Sequence, residues 1–133
     1  MSEITLTLRE ADEIFLGVED LASKTPRDGL PTRMGYRAGK MHRKIKAELA
    51  DFQKTRMDVI QRLGAEDEED GKKTGTWTIP KENLEEFTRE IDDLLSEEII
   101  LSGVAKVELD LENDLDIDGK TLATLEPILE ITE

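Results

Sequence analysis

The feature that most constrains the fold is a helix-patterned segment of 33 residues, 31–63. At a rise of 1.5 Å per residue, one unbroken helix of this length would be about 50 Å long. Pro31 suits the first turn of such a helix, and Gly64 suits its C-terminal cap. Its apolar residues recur at intervals of mostly three, four and seven: Met34, Ala38, Met41, Ile45, Leu49, Phe52, Val59 and Leu63.

Four of these residues, Ala38, Ile45, Phe52 and Val59, are spaced by sevens. This spacing is typical of the seam of a helical hairpin or coiled coil. Because a helix of this length is difficult to cover within 133 residues, the seam predicts a homo-oligomer, most simply a dimer.

The same segment separates the charges of the chain. It holds nine of the eighteen Lys and Arg residues but only three of the 32 acids, so its charge is about +6. Residues 1–30 carry about −4 and residues 64–133 about −16, which gives the net charge of −14. Separation of this degree predicts charge-guided docking, either within the molecule, between copies, or onto a charged partner.

The segments before and after the basic helix have weaker but readable patterns. Alternation predicts a strand over residues 3–8, and Thr7 with Glu10 matches a capping box that begins a helix over residues 8–23. Residues 25–29 are typical of a turn. Residues 64–75 are predicted to be a mobile acidic linker, and they are followed by a short strand (76–79), a helix (81–96), strands near 99–101 and 104–111, and a final helix from Gly119 through Leu129.

These elements predict a mainly α, α+β fold. We expect a long helical hairpin and a small β-sheet formed by the N-terminal and C-terminal segments. One domain is expected over residues 1–133: strand and helix (1–30), basic helix (31–63), acidic linker (64–75), and helix, short strands and C-terminal helix (76–133).

Several classes of protein are disfavoured by composition. The chain has no Cys, which excludes disulfides, thiolate nucleophiles and Cys-based zinc sites. It has no apolar run of eighteen residues and no basic, apolar leader, so no membrane segment is expected and a cytoplasmic location is predicted. No catalytic signature is present, and we expect neither an enzyme nor a bound cofactor or metal.

The candidate site is a row of basic residues, Arg33, Arg37, Lys40 and Lys44, which are four, three and four apart and therefore share one helix face. Three hypotheses remain open for this face. The first is a solvated surface that neutralises acidic segments such as residues 82–98. The second is a contact with a second copy or another protein, and the third is a site for phosphates. Nucleic acid is not an expected partner, because the remaining chain carries about −20.

Three further features favour structural interpretations. Gly35 and Gly39 lie one turn apart inside the basic helix, where glycine is unfavourable. They therefore predict either close packing against the first helix or a basic helix that begins only after Gly39. The alternative is that a partner approaches the helix backbone closely at these glycines. His42, the only histidine, is predicted to be a surface residue. The segment 114–119 (Asp-Leu-Asp-Ile-Asp-Gly) matches half of a calcium loop, but Leu125 replaces its bidentate Glu, so calcium affinity in the micromolar range is not expected.

Nearly the whole chain resembles a loose group of small uncharacterised proteins encoded by tailed bacteriophages and prophages. In this group a strand and helix precede a charged long helix, a variable acidic linker and another helix. The resemblance implies a phage origin and supplies no functional residues. It is carried by Leu30-Pro31, Tyr36, Lys40, Ile45, Glu48, Phe52 and Arg56, by Gly75-Thr-Trp-Thr-Ile and Phe87-Thr-Arg-Glu-Ile-Asp-Asp-Leu-Leu, and by Thr124-Leu-Glu-Pro-Ile-Leu.

From the resemblance and the charge pattern we expect a non-enzymatic phage accessory protein that acts by binding another protein in the cytoplasm of the host bacterium. It would inhibit a host or defence protein, or assist virion assembly. Two alternatives remain. One is an acidic decoy that mimics nucleic acid, and the other is an oligomeric binder of small phosphorylated ligands through the basic helix.

Overall fold

A computed structural model describes residues 3–110 and 119–132, and within these ranges the fold is mainly α in the α+β class. The helices are α1 (Leu8–Ala22), α2 (Thr32–Leu63), α3 (Lys81–Leu95) and α4 (Gly119–Thr124). The strands are β1 (Glu3–Thr7), β2 (Ala65–Glu69), β3 (Lys72–Thr78), β4 (Glu98–Ser102), β5 (Val107–Asp110) and β6 (Leu129–Thr132). The predicted fold class is confirmed.

Contacts divide the chain into two compact units, Met1–Leu49 with Glu98–Glu133, and Ala50–Glu97. We refer to them as the first and second unit. The expectation that the chain behaves as one domain stays a prediction.

The first unit begins with β1, which pairs with β4 in antiparallel register, Ile4 opposite Leu101 and Leu6 opposite Ile99. All four of these apolar side chains are buried. Thr7 then starts α1 with the predicted capping box: its hydroxyl accepts from the Glu10 N–H at 3.1 Å, and its own N–H donates to the Glu10 carboxylate at 3.0 Å. This reciprocal pair satisfies two backbone groups that a helix N-terminus leaves unpaired.

The long helix α2 forms almost as predicted. It begins at Thr32, one residue after the expected Pro31, whose carbonyl accepts the N–H of Gly35 at 3.0 Å. The apolar stripe buries Met34, Ala38, Met41, Ile45 and Leu49 in the first unit and Phe52 in the second.

The seam of sevens is therefore largely covered by the chain itself. Ala38, Ile45 and Phe52 are buried, and Val59 is partly buried. The seam alone gives no reason for a second copy, and the homo-oligomer stays a prediction.

The C-terminal segment differs from the single helix that was predicted. Helix α4 ends at Thr124, a 3-10 turn follows over Glu126–Ile128, and β6 pairs in parallel with β5, Val107 opposite Leu129. Pro127 lies in the 3-10 turn, where its missing N–H leaves no helical hydrogen bond unmade. Leu125, Ile128 and Leu129 are buried, as expected for apolar residues, but not as one helical face.

In the second unit, the predicted acidic linker is wrong. Residues 65–78 form a β-hairpin, in which Glu69 lies opposite Lys72 and Glu68 opposite Lys73. Asp70 (φ 54°) and Gly71 (φ 78°) make the turn, and positive φ at both positions is the geometry that Asp-Gly favours in two-residue hairpins. The opposite charges across the strands favour this pairing.

Helix α2 ends at Leu63, directly before the predicted Gly64; the Gly64 N–H makes the last helical bond, to the Ile60 carbonyl at 2.7 Å, but Gly64 does not adopt the positive φ of a glycine cap. The Leu63 carbonyl accepts the side-chain amide of Asn83, from α3, at 2.9 Å. Arg62 pairs with Glu86 at 3.9 Å and hydrogen-bonds to Glu90, also on α3. The Glu90 hydrogen bond raises the pKa of the Arg62 guanidinium above its ordinary value.

Candidate functional site

A cleft of about 350 Å³ lies in the first unit between α2 and the connection from β4 to β5. It contains three of the four predicted site residues, while the fourth, Lys44, does not line it. We call it the basic cleft. Its walls are Arg33, Tyr36, Arg37, Lys40, Gly103, Val104 and Ala105.

Arg37 is the structural cation of the basic cleft. Its guanidinium donates to the Lys106 carbonyl at 3.1 Å and lies 3.6 Å from the Glu108 carboxylate. The side chain is only 17% exposed. Arg37 therefore ties α2 to the chain that leads into β5, and its charge is already balanced.

Arg33 and Lys40 behave differently. Within residues 3–110 and 119–132, neither has a carboxylate within ion-pair distance. The ammonium of Lys40 lies beside Gly103, 3.7 Å from the point where a Cβ on that glycine would be. Gly103 has φ of 72°, a conformation that other residues rarely adopt. The backbone of the β4–β5 connection can thus run close to Lys40. The cleft therefore holds two cations, Arg33 and Lys40, that form no ion pair within the described part of the chain.

Tyr36 lines the same cleft and was missed as a site residue in the sequence. Its side chain is 65% exposed, so most of the ring is accessible to solvent. The signal that would have found it is its spacing, three residues after Arg33 and four before Lys40, which places all three on one helix face. The basic cleft therefore presents an aromatic surface together with two cations.

The two glycines of α2 do not pack against α1. The nearest atoms to a Cβ on Gly35 are the Lys24 carbonyl oxygen at 3.8 Å and a Leu30 methyl at 4.0 Å. For Gly39, apart from the neighbouring backbone of its own helix, the only atom of the described chain within 4 Å is an Arg43 guanidinium nitrogen at 3.5 Å. Because α2 already begins at Thr32, both structural explanations offered for these glycines are wrong. Neither position is crowded by the described chain.

His42 is not a surface residue, contrary to the prediction. Its ring stacks on Phe15 of α1 with centroids 5.2 Å apart, and its Nε2 lies 3.4 Å from a Glu19 oxygen. The side chain is largely buried. His42 contributes to the contact between α1 and α2 and is separate from the basic cleft.

The hypothesis that the basic helix neutralises residues 82–98 holds only at the end of α2. Arg62 makes those contacts, through Glu86 and Glu90. Arg33, Lys40 and Lys44 make no ion pair with any carboxylate that the structure describes.

A second surface feature lies on α3, in the second unit. Its lining residues all belong to this helix and form an open surface along one side of it, on which Leu84 is 50% exposed. Although α3 has an apolar side, none of its residues is fully buried. We call this surface the α3 groove; it is lined by Lys81, Leu84, Glu85, Thr88, Arg89, Asp92 and Asp93.

The described residues contain no group of three or more His, Asp or Glu side chains that could hold a metal ion. The acidic turn at residues 114–118, on which the calcium question depends, lies outside the described part of the chain.

Comparison of the chain with protein-family models, curated proteins and solved structures gives no match. None of the described helices has the length and apolar character that crossing a membrane requires.

Proposed function

We propose that this protein is a non-enzymatic accessory protein of a tailed bacteriophage, and that it binds another protein through the α3 groove. The observation that carries the proposal is the half-exposed Leu84 on a helix of which no residue is fully buried. An exposed apolar side chain on an open helix face, bordered by charged residues, can supply the apolar centre of a contact whose rim is polar.

The charge around the groove favours a basic partner. The groove is lined by three acids and two basic residues, a charge of −1, and the segment 81–98 as a whole carries −6 within a chain of −14. Such a field increases the association rate with a positively charged surface, and Leu84 then contributes short-range apolar contact. Burying the exposed half of a leucine side chain is worth about 1 kcal/mol, roughly a fivefold change in affinity.

The biological role follows from the resemblance to phage proteins. A basic surface on a host or defence protein, or on a virion component, would meet the requirement equally well. A nucleic-acid-binding protein is a special case, because its basic surface normally holds phosphates; the protein would then act as an acidic decoy.

Two leucine variants test the proposal. Leu84→Glu removes the apolar contact in the α3 groove, and Leu16→Glu makes the same change at a leucine of α1 that is 74% exposed. A host protein captured by the wild type should be retained by Leu16→Glu and weakened at least about tenfold by Leu84→Glu, since a charge replaces a desolvated apolar group. Binding is measured by titration calorimetry with that purified protein.

The outcome against the proposal is equal binding by wild type and Leu84→Glu, with both variants folded by circular dichroism. Binding should also weaken with salt, because the attraction is partly electrostatic. Displacement of the partner by duplex DNA would identify the decoy form of the function.

A further inference from the structure

The basic cleft has a chemical character that protein binding at the α3 groove does not use. It lies in the first unit, whereas Leu84 and its neighbours lie in the second. From its contents we infer that the basic cleft is a separate binding site for a small phosphorylated ligand that carries a planar ring, of the mononucleotide class.

The charge of the basic cleft suits a phosphate group. Arg33 and Lys40 flank Tyr36 on one face of α2, and neither has an ion-pair partner among the described residues, in a chain with 32 acids. Arg37, between them in sequence, is already held by the Lys106 carbonyl and Glu108. A guanidinium that hydrogen-bonds in pairs and an ammonium that acts as a point charge are the two side chains that proteins commonly use for phosphate.

The exposed ring of Tyr36 suits a planar base. Tyr36 keeps 65% of its surface exposed while lining the cleft, and the partly exposed Ala105 adds a small aliphatic surface from the β4–β5 connection. A planar base can lie against a tyrosine ring, and stacking of a base on an aromatic side chain is worth about fivefold or more in affinity. Inorganic phosphate would leave this surface unused.

The size of the cleft and the negative net charge of the chain both favour a small ligand. A volume of about 350 Å³ is at the small end of ligand sites, which suits one nucleotide and not a polymer. The remaining chain repels a polyanion along its length, but a ligand with one phosphate group experiences mainly the two nearby cations, because charges beyond about 8 Å are screened at physiological salt. These terms favour a mononucleotide over nucleic acid.

The test measures binding of adenosine 5′-monophosphate, inorganic phosphate and adenosine by titration calorimetry. We expect the nucleotide to bind about tenfold more tightly than either component alone, because it makes both the phosphate and the ring contacts. Tyr36→Ala should weaken nucleotide binding about fivefold, and Tyr36→Phe should retain it, because the ring and not the hydroxyl makes the contact.

The chain offers a closely matched control for the cations. Arg33→Gln with Lys40→Gln removes one guanidinium and one ammonium from the cleft, and Arg43→Gln with Lys44→Gln removes the same two groups from exposed positions outside it. The first pair should weaken nucleotide binding at least about tenfold, and the second should change it little. Thermal unfolding of both double variants checks that each is folded.

Four results would overturn the inference. These are no binding of the nucleotide at about 1 mM, equal loss in the two double variants, inorganic phosphate that binds as tightly as the nucleotide, and tighter binding of duplex DNA or of a tyrosine-phosphorylated peptide. Equal loss would indicate diffuse attraction to the basic helix. None of these results depends on Leu84, so failure here leaves the proposed protein-binding function standing.

Discussion

Replacing Gly39 by alanine and replacing Gly64 by alanine should change the stability of this protein in opposite directions. Gly39 lies inside α2, where the closest described atom outside the local helix backbone to a new Cβ is an Arg43 guanidinium nitrogen at 3.5 Å, an ordinary contact. Since glycine inside a helix costs roughly 1 kcal/mol relative to alanine, Gly39→Ala should raise the free energy of unfolding by about 0.5–1 kcal/mol.

Gly64 is at the end of the same helix but has no room for a side chain. A Cβ there would lie 2.6 Å from the Ile60 carbonyl oxygen, 3.2 Å from the Thr78 carbonyl oxygen and 3.0 Å from a methyl of Ile79. The isoleucine methyl can move, but the two carbonyl oxygens belong to the backbone that caps α2 and ends β3. Relieving such overlap costs about 1–3 kcal/mol, so Gly64→Ala should lower the free energy of unfolding by that amount.

Urea unfolding followed by circular dichroism measures both changes, and thermal unfolding gives a second estimate, about 3–5 °C per kcal/mol for a chain of this size. Gly35→Ala serves as a further control, since its nearest contacts are at 3.8 and 4.0 Å and its effect should match that of Gly39→Ala. A destabilising Gly39→Ala would refute the reasoning. It would mean that another chain or ligand approaches the helix backbone at that point in solution.

Two further predictions follow from individual contacts. Phe52 is 6% exposed, so Phe52→Ala should lower the free energy of unfolding by about 3–5 kcal/mol. Lys54 is exposed, so Lys54→Ala should change that free energy by less than about 0.5 kcal/mol in the same urea experiment. Equal effects would mean that the buried face of α2 is assigned wrongly. The hydrogen bond from the Thr25 N–H, at 2.9 Å, lowers the pKa of the Asp28 carboxyl below its ordinary value of 3.8. The charged carboxylate therefore stabilises the fold above pH 3.8, and this contribution is lost as the pH falls through the lowered folded-state pKa. Asp28→Asn should destabilise the protein at pH 7, and the difference from the wild type should shrink as the solution is acidified below pH 3.8. A difference that stays constant over this titration would contradict the prediction.

The elements that could be predicted from the sequence are those with local signals. β1 and α1 meet at Thr7, where alternation gives way to helical spacing and a capping box marks the change. The extent of α2 follows from its apolar stripe, and Gly64 ends it. In each case the residues that decide the structure are neighbours in sequence, so no knowledge of the tertiary contacts is needed.

The hairpin over residues 65–78 could not be found in this way. Its strands are almost entirely polar and exposed, so they have no apolar alternation, and their charge density is typical of a mobile loop. The two signals that favour a hairpin are the Asp70-Gly71 turn and the opposite charges that face each other across the strands. The composition of the segment favours a linker, whereas the turn and the cross-strand charges favour a hairpin and determine the structure, so the prediction of a linker is wrong.

The C-terminal strand and the basic cleft could not be predicted for a different reason, because both depend on contacts between residues that are far apart in the sequence. Leu129 fits a helix as well as a strand until its parallel pairing with Val107 is known. Similarly, a row of basic residues on α2 indicates a charged face, but not which members meet residues 103–105. That contact places Arg33 and Lys40 at a cleft with Tyr36, engages Arg37 in the fold, and leaves Lys44 outside.

The cations of the basic cleft have different roles, since Arg37 stabilises the fold whereas Arg33 and Lys40 are available to a ligand. Arg37 is largely buried and bonded to the backbone, so its loss should destabilise the fold. Arg33 is exposed and Lys40 is partly exposed, neither forms an ion pair with the described residues, and surface ion pairs contribute at most about 1 kcal/mol. The fold therefore gives no reason for their position on either side of an exposed tyrosine. If Arg33→Gln and Lys40→Gln leave unfolding unchanged but abolish nucleotide binding, the arrangement exists for a ligand, because a residue needed only for folding could not produce that combination.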